Sequence, residues 1–211
     1  MGDAGLTCER ILETAEDVLR RFGPEKATVV DVARALGVTH GSVYRYFPSK
    51  AALRDAVVDR WLEEMMPPLE AVVAQKGPAP KRLRRWLDLL IAVKRKRAAA
   101  DPELFSAYNA LAAQARDVVR AHVDALVGQA ARIIADGVSA GEFRATKPAA
   151  AGRALLYATS RFHNPAHAAE WSNPGIDDLL DEVWRLLMRG LDARSPGKQA
   201  TTRITVKTKP Q

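Results

Sequence analysis

The stretch from Val29 to Pro48 most narrows what this chain can become. Two short helical runs, at about 28–36 and 40–46, flank Gly37, and Phe47-Pro48-Ser49 breaks the chain after the second. Two short helices that cross steeply through a tight turn need three things: a small residue inside the first helix, a glycine in the turn four residues later, and apolar residues where the helices touch. Ala33 is the small residue and Gly37 the turn glycine, while Val32, Leu36, Val38, Val43 and Tyr46 fill the packing positions. The pattern predicts a helix-turn-helix.

Helical periodicity runs through the rest of the chain. Ile11, Ala15, Val18, Leu19 and Phe22 share one face of a helix over 7–22, with Thr7 placed to cap it and Gly23-Pro24 to stop it. A longer helix opens at Pro48 or Ser49 and runs to about Met66, where Pro67-Pro68 kinks or ends it. After Pro80, Leu83, Leu87, Leu90, Ile91 and Val93 form the next apolar face. Asp101-Pro102 ends that helix and starts another, extended to about Val127 and on to Ser139, with Gly141 closing it. Two more helices are read at Pro148–Phe162 and Ile176–Leu191. Alanine, leucine, arginine and glutamate dominate and aromatics are only 6%, a balance that favours helices over sheets. The fold class is all-α. Only Arg203 to Lys207 shows period-2 alternation, within a polar, basic stretch at 195–211 read as a disordered tail.

The stretch Gly37-Val-Thr-His-Gly-Ser-Val-Tyr-Arg-Tyr-Phe-Pro-Ser-Lys50, followed by Ala51-Ala52-Leu53, resembles the DNA-binding domain of the TetR family of regulators. The helix carrying Ile11, Ala15 and Phe22 and the position of Thr28 match as well, so the resemblance covers residues 8 to about 60. It implies a three-helix helix-turn-helix domain at 1–48, followed by a helical-bundle regulatory and dimerisation domain at 49–194. It implies that His40 to Tyr46 lies in the major groove of a double-stranded DNA operator. Thr39, His40, Gly41 and Ser42 then come close to bases or backbone. Tyr44, Tyr46 and Lys50 fall on phosphates, and Thr28 gives a hydroxyl or its helix N-terminus to another. Arg45 either reads guanine bidentately, contacts phosphate or stays solvated. Tyr46 is at the same time a packing residue.

The resemblance further implies a homodimer that binds a palindromic operator as a repressor and is released by a small-molecule effector. Leu155, Ala158 and Phe162 on one late helix, with Leu180, Val183, Trp184 and Leu187 on the other, either form a dimer interface or pack on the rest of their own domain. Trp86, Leu90, Phe105, Tyr108, Asn109 and Tyr157 in the central helices either line an effector pocket or belong to the core. The connecting helix from Ser49 to Met66 is expected to carry the effector's signal.

Net charge is +7, unevenly spread. Residues 1–60 hold nine Lys/Arg against nine Asp/Glu, and residues 61–100 nine against four. A basic chain suits an anionic partner, but the segment assigned to DNA is not itself net basic. The run Lys94-Arg95-Lys96-Arg97, with Lys81, Arg82, Arg84 and Arg85 before it, is read as a solvated helix face, with an anionic effector or nonspecific DNA contact as alternatives. One cysteine, Cys8, forbids an intrachain disulfide and fits a reducing compartment. With no signal-peptide pattern and no membrane-length apolar run, a bacterial cytoplasmic location, on the nucleoid through operator binding, is expected.

Two chemical readings fail on local structure. Gly137-Val-Ser-Ala-Gly141 has the form of a hydrolase nucleophile elbow, but that turn needs a strand before it and a helix after, and here a helix precedes. His163 and His167 stand four apart, yet Pro165 breaks the helix that would make them joint metal ligands. No catalytic residue, metal site or cofactor is assigned. The competing function is a helical ligand-binding or adaptor protein without DNA binding.

Overall fold

A computed structural model of the chain describes residues 5–25, 27–144 and 147–192. The tail expected at 195–211 lies outside these residues. The described residues form ten α-helices: α1 (Cys8–Phe22), α2 (Val29–Leu36), α3 (His40–Tyr44), α4 (Lys50–Glu63), α5 (Met66–Val73), α6 (Ala79–Ala100), α7 (Pro102–Ala112), α8 (Arg116–Ser139), α9 (Pro148–Ala158) and α10 (Ile176–Leu191). Short 3-10 turns at Ser160–Phe162 and Pro165–Glu170 link the last two.

The first four helices share one device for starting. Thr7, Thr28, Thr39 and Ser49 each sit in extended backbone and accept a hydrogen bond from the N–H three residues on. Each such cap satisfies one orphan amide and stabilises its helix by about 1 kcal/mol. For α3, only five residues long, that start matters more than propensity, because so short a helix cannot form alone.

Apolar side chains sort into two cores. The first gathers Ile11, Val18 and Leu19 of α1, Val29, Val32 and Ala33 of α2, and Val43 of α3 with Leu53, Val57, Val58, Trp61 and Leu62 of α4. It also takes Phe105, Tyr108 and Leu111 from α7, so the helix-turn-helix rests on a platform of α4 and α7. The second joins α5, α6, α8, α9 and α10 around Trp86, Leu87, Leu90, Leu126, Ile133 and Phe162.

Several elements differ from their sequence reading. Pro67 and Pro68 do not merely stop α4; they occupy the first turn of a separate helix, α5, where their missing N–H groups cost nothing. The helix expected from Pro102 to Ser139 is two helices, broken at residues 113–115. No glycine or proline marks that break. Ala115 is buried there, and the chain turns because α7 belongs to the first core and α8 to the second. The helix expected to reach Phe162 ends at Ala158, and the Thr159 hydroxyl donates to the Leu155 carbonyl at 2.8 Å. Phe22, placed on the inward face of α1, is 63% exposed.

The Gly137 to Gly141 segment is a helix end, as read. Gly141 turns the chain at φ 71°. Phe143 then folds back into the second core, and Glu142 Oε2 accepts from the Ala79 N–H at the start of α6 at 2.7 Å.

Helices α8 and α9 approach closely at Gly152, where an added Cβ would stand 3.0 Å from both the Ala131 N and the Val127 O. Backbone atoms cannot yield as a side chain can. Gly152→Val is therefore expected to lower the unfolding free energy by about 1–3 kcal/mol, measured by urea denaturation, despite valine's better helix propensity. Unchanged stability would show that the two helices are not packed this tightly.

Candidate nucleic-acid interface and effector cavity

The turn between α2 and α3 is set by Gly37, whose φ of 69° and ψ of 27° lie in the left-handed region. The Gly37 N–H reaches the Arg34 carbonyl and the Val38 N–H the Ala33 carbonyl at 3.0 Å, the paired bonds of a Schellman motif. Ala33 and Val43, both buried, let the helices meet. That packing leaves the other side of α3 facing outward. Thr39, His40, Gly41, Tyr44, Arg45, Tyr46 and Lys50 are all exposed, and Ser42 is partly so.

Individual side chains on this surface are partly committed. The Thr39 hydroxyl accepts from the Ser42 N–H and lies 3.0 Å from the Ser42 hydroxyl. His40 and Tyr44 stand edge to face, with ring centres 6.2 Å apart. Tyr46 donates its hydroxyl to the Leu6 carbonyl at 2.6 Å, tying the end of the motif to the segment before α1. Thr28 donates to Asp31 Oδ2 at 2.5 Å while accepting from the Asp31 N–H, and Asp31 pairs with Arg34 at 3.1 Å. The hydroxyls of Tyr46 and Thr28 thus hold the motif together. Tyr44 and His40 are the aromatic groups presented outward.

The second site is a cavity of about 150 Å³ between α4, α6, α7, α8 and α9. Trp61, Leu62, Val119, Val123, Leu126 and Leu156 give it apolar walls; Lys94, His122, His163, Asn109 and Ser160 are its polar groups. Of the residues assigned to a pocket from sequence, Asn109 and Tyr157 line it. Trp86 and Leu90 are core, and the Trp86 indole donates to Gln129 at 2.9 Å inside the second core. Phe105 and Tyr108 pack against Trp61 next to the cavity rather than in its wall.

The basic run on α6 is a solvated face only in part: Lys81, Arg85 and Lys96 are exposed, whereas Arg82 and Lys94 are buried. Lys94 is 8% exposed, and it faces the cavity. Arg95 pairs with Asp177 of α10 at 2.8 Å. Arg97 pairs with Glu64 at 3.0 Å and lies over the Trp61 ring at 5.4 Å. Burial, aided by Arg97, lowers the Lys94 pKa to about 8. Burial, with Lys94 next, lowers both His122 and His163 to about 3. Sequence reasoning missed all three. The signal available was the spacing of Lys94 with Leu83, Leu87, Leu90 and Ile91, which puts it on the buried side of α6.

The predicted dimer residues divide similarly. Leu155, Phe162 and Leu180 are buried in the protomer's own second core, Val183, Trp184 and Leu187 are half-buried, and Ala158 is exposed. The outward apolar groups on α9 and α10 are Tyr157, Leu179 and Leu186, the last 71% exposed. Among the described residues no group of three or more His, Cys, Asp or Glu could hold a metal, and no helix is long and apolar enough to cross a membrane.

A helix-turn-helix seated on an all-helical bundle with a cavity between its helices defines a class of DNA-binding regulators. Residues 11–57 match the profile of the bacterial regulatory proteins of the tetR family, and residues 79–184 match the tetracyclin repressor-like C-terminal domain. The chain belongs to the TetR family of DNA-binding transcriptional regulators. An HTH-type transcriptional regulator of Staphylococcus aureus is 34% identical over 95 residues, covering 41% of this chain and 49% of that protein. The alignments span about half the length of such curated relatives, or less. Among solved structures, a TetR/AcrR-family regulator of Thermobifida fusca is 26% identical with a TM-score of 0.55, covering 87% of this chain and 98% of that one. SmeT, the repressor of a Stenotrophomonas maltophilia multidrug efflux pump, shares the fold at 19% identity, with a TM-score of 0.63 over 90% and 93% of the two chains.

The buried histidines set the acid side of the stability profile. Folded, they stay neutral down to about pH 3; unfolded, each takes a proton near pH 6.5. Between those values protons favour the unfolded chain, so stability should fall as pH drops below about 6.5. The slope contributed by each imidazole is at most about 1.4 kcal/mol per pH unit. Thermal unfolding from pH 8 to 5 checks this, and His122→Leu should flatten the slope. A flat wild-type profile would contradict the burial of both rings.

Proposed function

We propose that this protein is a transcriptional repressor that binds a palindromic operator as a homodimer and leaves it when a small molecule occupies the cavity. The observation that carries this reading is the outward presentation of His40 and Tyr44 on a short helix whose other side is anchored by Val43 and Gly37. In this reading residues 1–48 form the DNA-binding head. Thr39, His40, Gly41, Ser42, Tyr44 and Arg45 meet the major groove and Lys50 the flanking backbone, while Thr28 and Tyr46, whose hydroxyl protons are given to Asp31 and Leu6, approach that backbone only through the start of α2 and the ring edge.

Residues 49–194 dimerise and sense the effector. A two-fold pairing of α9 and α10 would cover Tyr157, Ala158, Leu179 and Leu186, apolar groups otherwise left in water. It would also place two heads side by side, as two half-sites of a palindrome require. Trp61 and Leu62 stand in the cavity wall on α4, the helix that follows the head directly. An effector filling the cavity would favour one position of α4, and so one spacing of the heads. Such a protein works in the bacterial cytoplasm, on the nucleoid.

The test is to mix the purified protein with sheared DNA of its own genome at low salt and sequence the fragments it retains. Wild type is expected to enrich a few palindromic intergenic sites, with affinity falling steeply as salt rises. A His40→Ala, Tyr44→Ala double variant should lose that enrichment. Absence of enrichment by wild type would favour the alternative, a helical ligand-binding protein that does not bind DNA.

A further inference from the structure

The cavity contains a cation that the protein does not neutralise. Lys94 is more than nine-tenths buried. Among the described residues no carboxylate pairs with it, and the charged or titratable groups that act on it or it acts on are Arg97, His122 and His163. Arg82, equally buried on the same helix, shows how a structural cation is handled here. Its Nη2 donates to the Val73 carbonyl at 2.6 Å and to Asp136 at 2.9 Å. A charge so largely removed from water without a counter-charge is costly, and no hydrogen bond or ion pair within the described residues engages the Lys94 ammonium.

A second polar group in the same wall is also unsatisfied. His122 Nε2 is sealed from solvent and has no hydrogen-bond partner. His163, by contrast, is engaged, with its Nε2 3.2 Å from the Leu156 carbonyl and 3.3 Å from the Thr159 hydroxyl. The cavity therefore offers one ammonium and one free imidazole edge within walls of Trp61, Leu62, Val123, Leu126 and Leu156.

We infer that the cavity takes a small organic acid as its carboxylate, paired with Lys94 and accepting a hydrogen bond from His122, with its apolar body against Val123, Leu126 and Leu156. The inference rests on the reading of this cavity as the effector site. Three observations select the class. One uncompensated positive charge matches one negative charge, since a second would be buried unpaired. The Lys94 ammonium donates, and the His122 Nε2 donates in the tautomer that carries the ring proton there, which together suit a carboxylate oxygen. A volume of about 150 Å³ is that of a cavity that holds a benzene ring, which sets the apolar body at one ring or a short branched chain.

The probes are benzoate, its neutral isostere benzamide and the cation benzylamine, titrated calorimetrically into the full-length protein at pH 7. Benzoate should bind at least about tenfold more tightly than benzamide, the ratio expected for a desolvated charge-assisted pair, and benzylamine should not bind. Lys94→Met, which keeps the side chain's volume, should erase the preference for benzoate; His122→Phe should reduce it. Equal affinity for benzoate and benzamide, binding of none of the three, or an unchanged benzoate affinity in Lys94→Met would overturn the inference. The first two outcomes need only wild type, so a variant that fails to fold does not rescue it. Operator binding by wild type without any acid is scored separately. Its failure would count against the repressor reading and leave the calorimetric result standing.

Discussion

The indole of Trp61 is where the two halves of this molecule meet. It stacks on Tyr108 with ring centres 4.7 Å apart and planes 4° from parallel, and meets the edge of Phe105 at 5.9 Å. Arg97 covers it at 5.4 Å and donates to the Trp61 carbonyl at 2.5 Å. Each aromatic pair adds about 0.5–1.5 kcal/mol beyond the area it buries, so this cluster is among the stiffest contacts of α4. The same indole also lines the cavity. One side chain thus belongs to the core that supports the helix-turn-helix and to the wall that a ligand would touch.

What lies beyond Trp61 makes that position consequential. Arg60, its neighbour on α4, pairs with Glu9 at 2.8 Å and with Glu16 at 3.5 Å, both on α1. Burial and the adjacent Glu16 push the Tyr108 hydroxyl well above the usual phenol range, so it stays a neutral donor. Arg20 of α1 reaches Asp101 at the start of α7 at 3.6 Å. The first helix is therefore fastened to α4 and α7 together. Tyr46 is fastened in turn to Leu6. Packed and paired groups thus run continuously from α4 at the cavity to the head, with the apolar core of α1, α4 and α7 as their firmest part and exposed ion pairs at their edge.

Much of this was legible in the chain. The template Ala33, Gly37 and Val43 specified the helix-turn-helix because each position answers a separate geometric demand, and the structure places all three as required. The helix start at Thr7 was readable because side-chain capping is local, whereas the start after Phe47 falls to either Pro48 or Ser49 by sequence and the structure gives the cap to Ser49. Tertiary choices were not. The break between α7 and α8 carries no local signal, since it arises from two helices joining different cores. Lys94 looked like one cation in a solvated run, because a run of charges conceals which member the helical period turns inward. Leu155, Phe162 and Leu180 were recognisably apolar, but periodicity alone does not say whether such a face meets its own core or a second copy. The sites that sequence left indistinct are the ones where a local rule is broken: a buried ammonium and an imidazole edge with no partner.

The central claim is that occupancy of the cavity moves the heads through α4. Cys8, the single cysteine and exposed at the start of α1, allows one spin label per protomer without any substitution. The most direct measurement is the distance between the two labels of the proposed homodimer by pulsed electron resonance, with and without benzoate and with operator DNA. A distance distribution that shifts on adding benzoate, and returns when operator DNA is supplied in excess, is the result expected. A distribution that stays fixed while benzoate is bound would contradict the claim, because the cavity would then be filled without α4 carrying that change to the head.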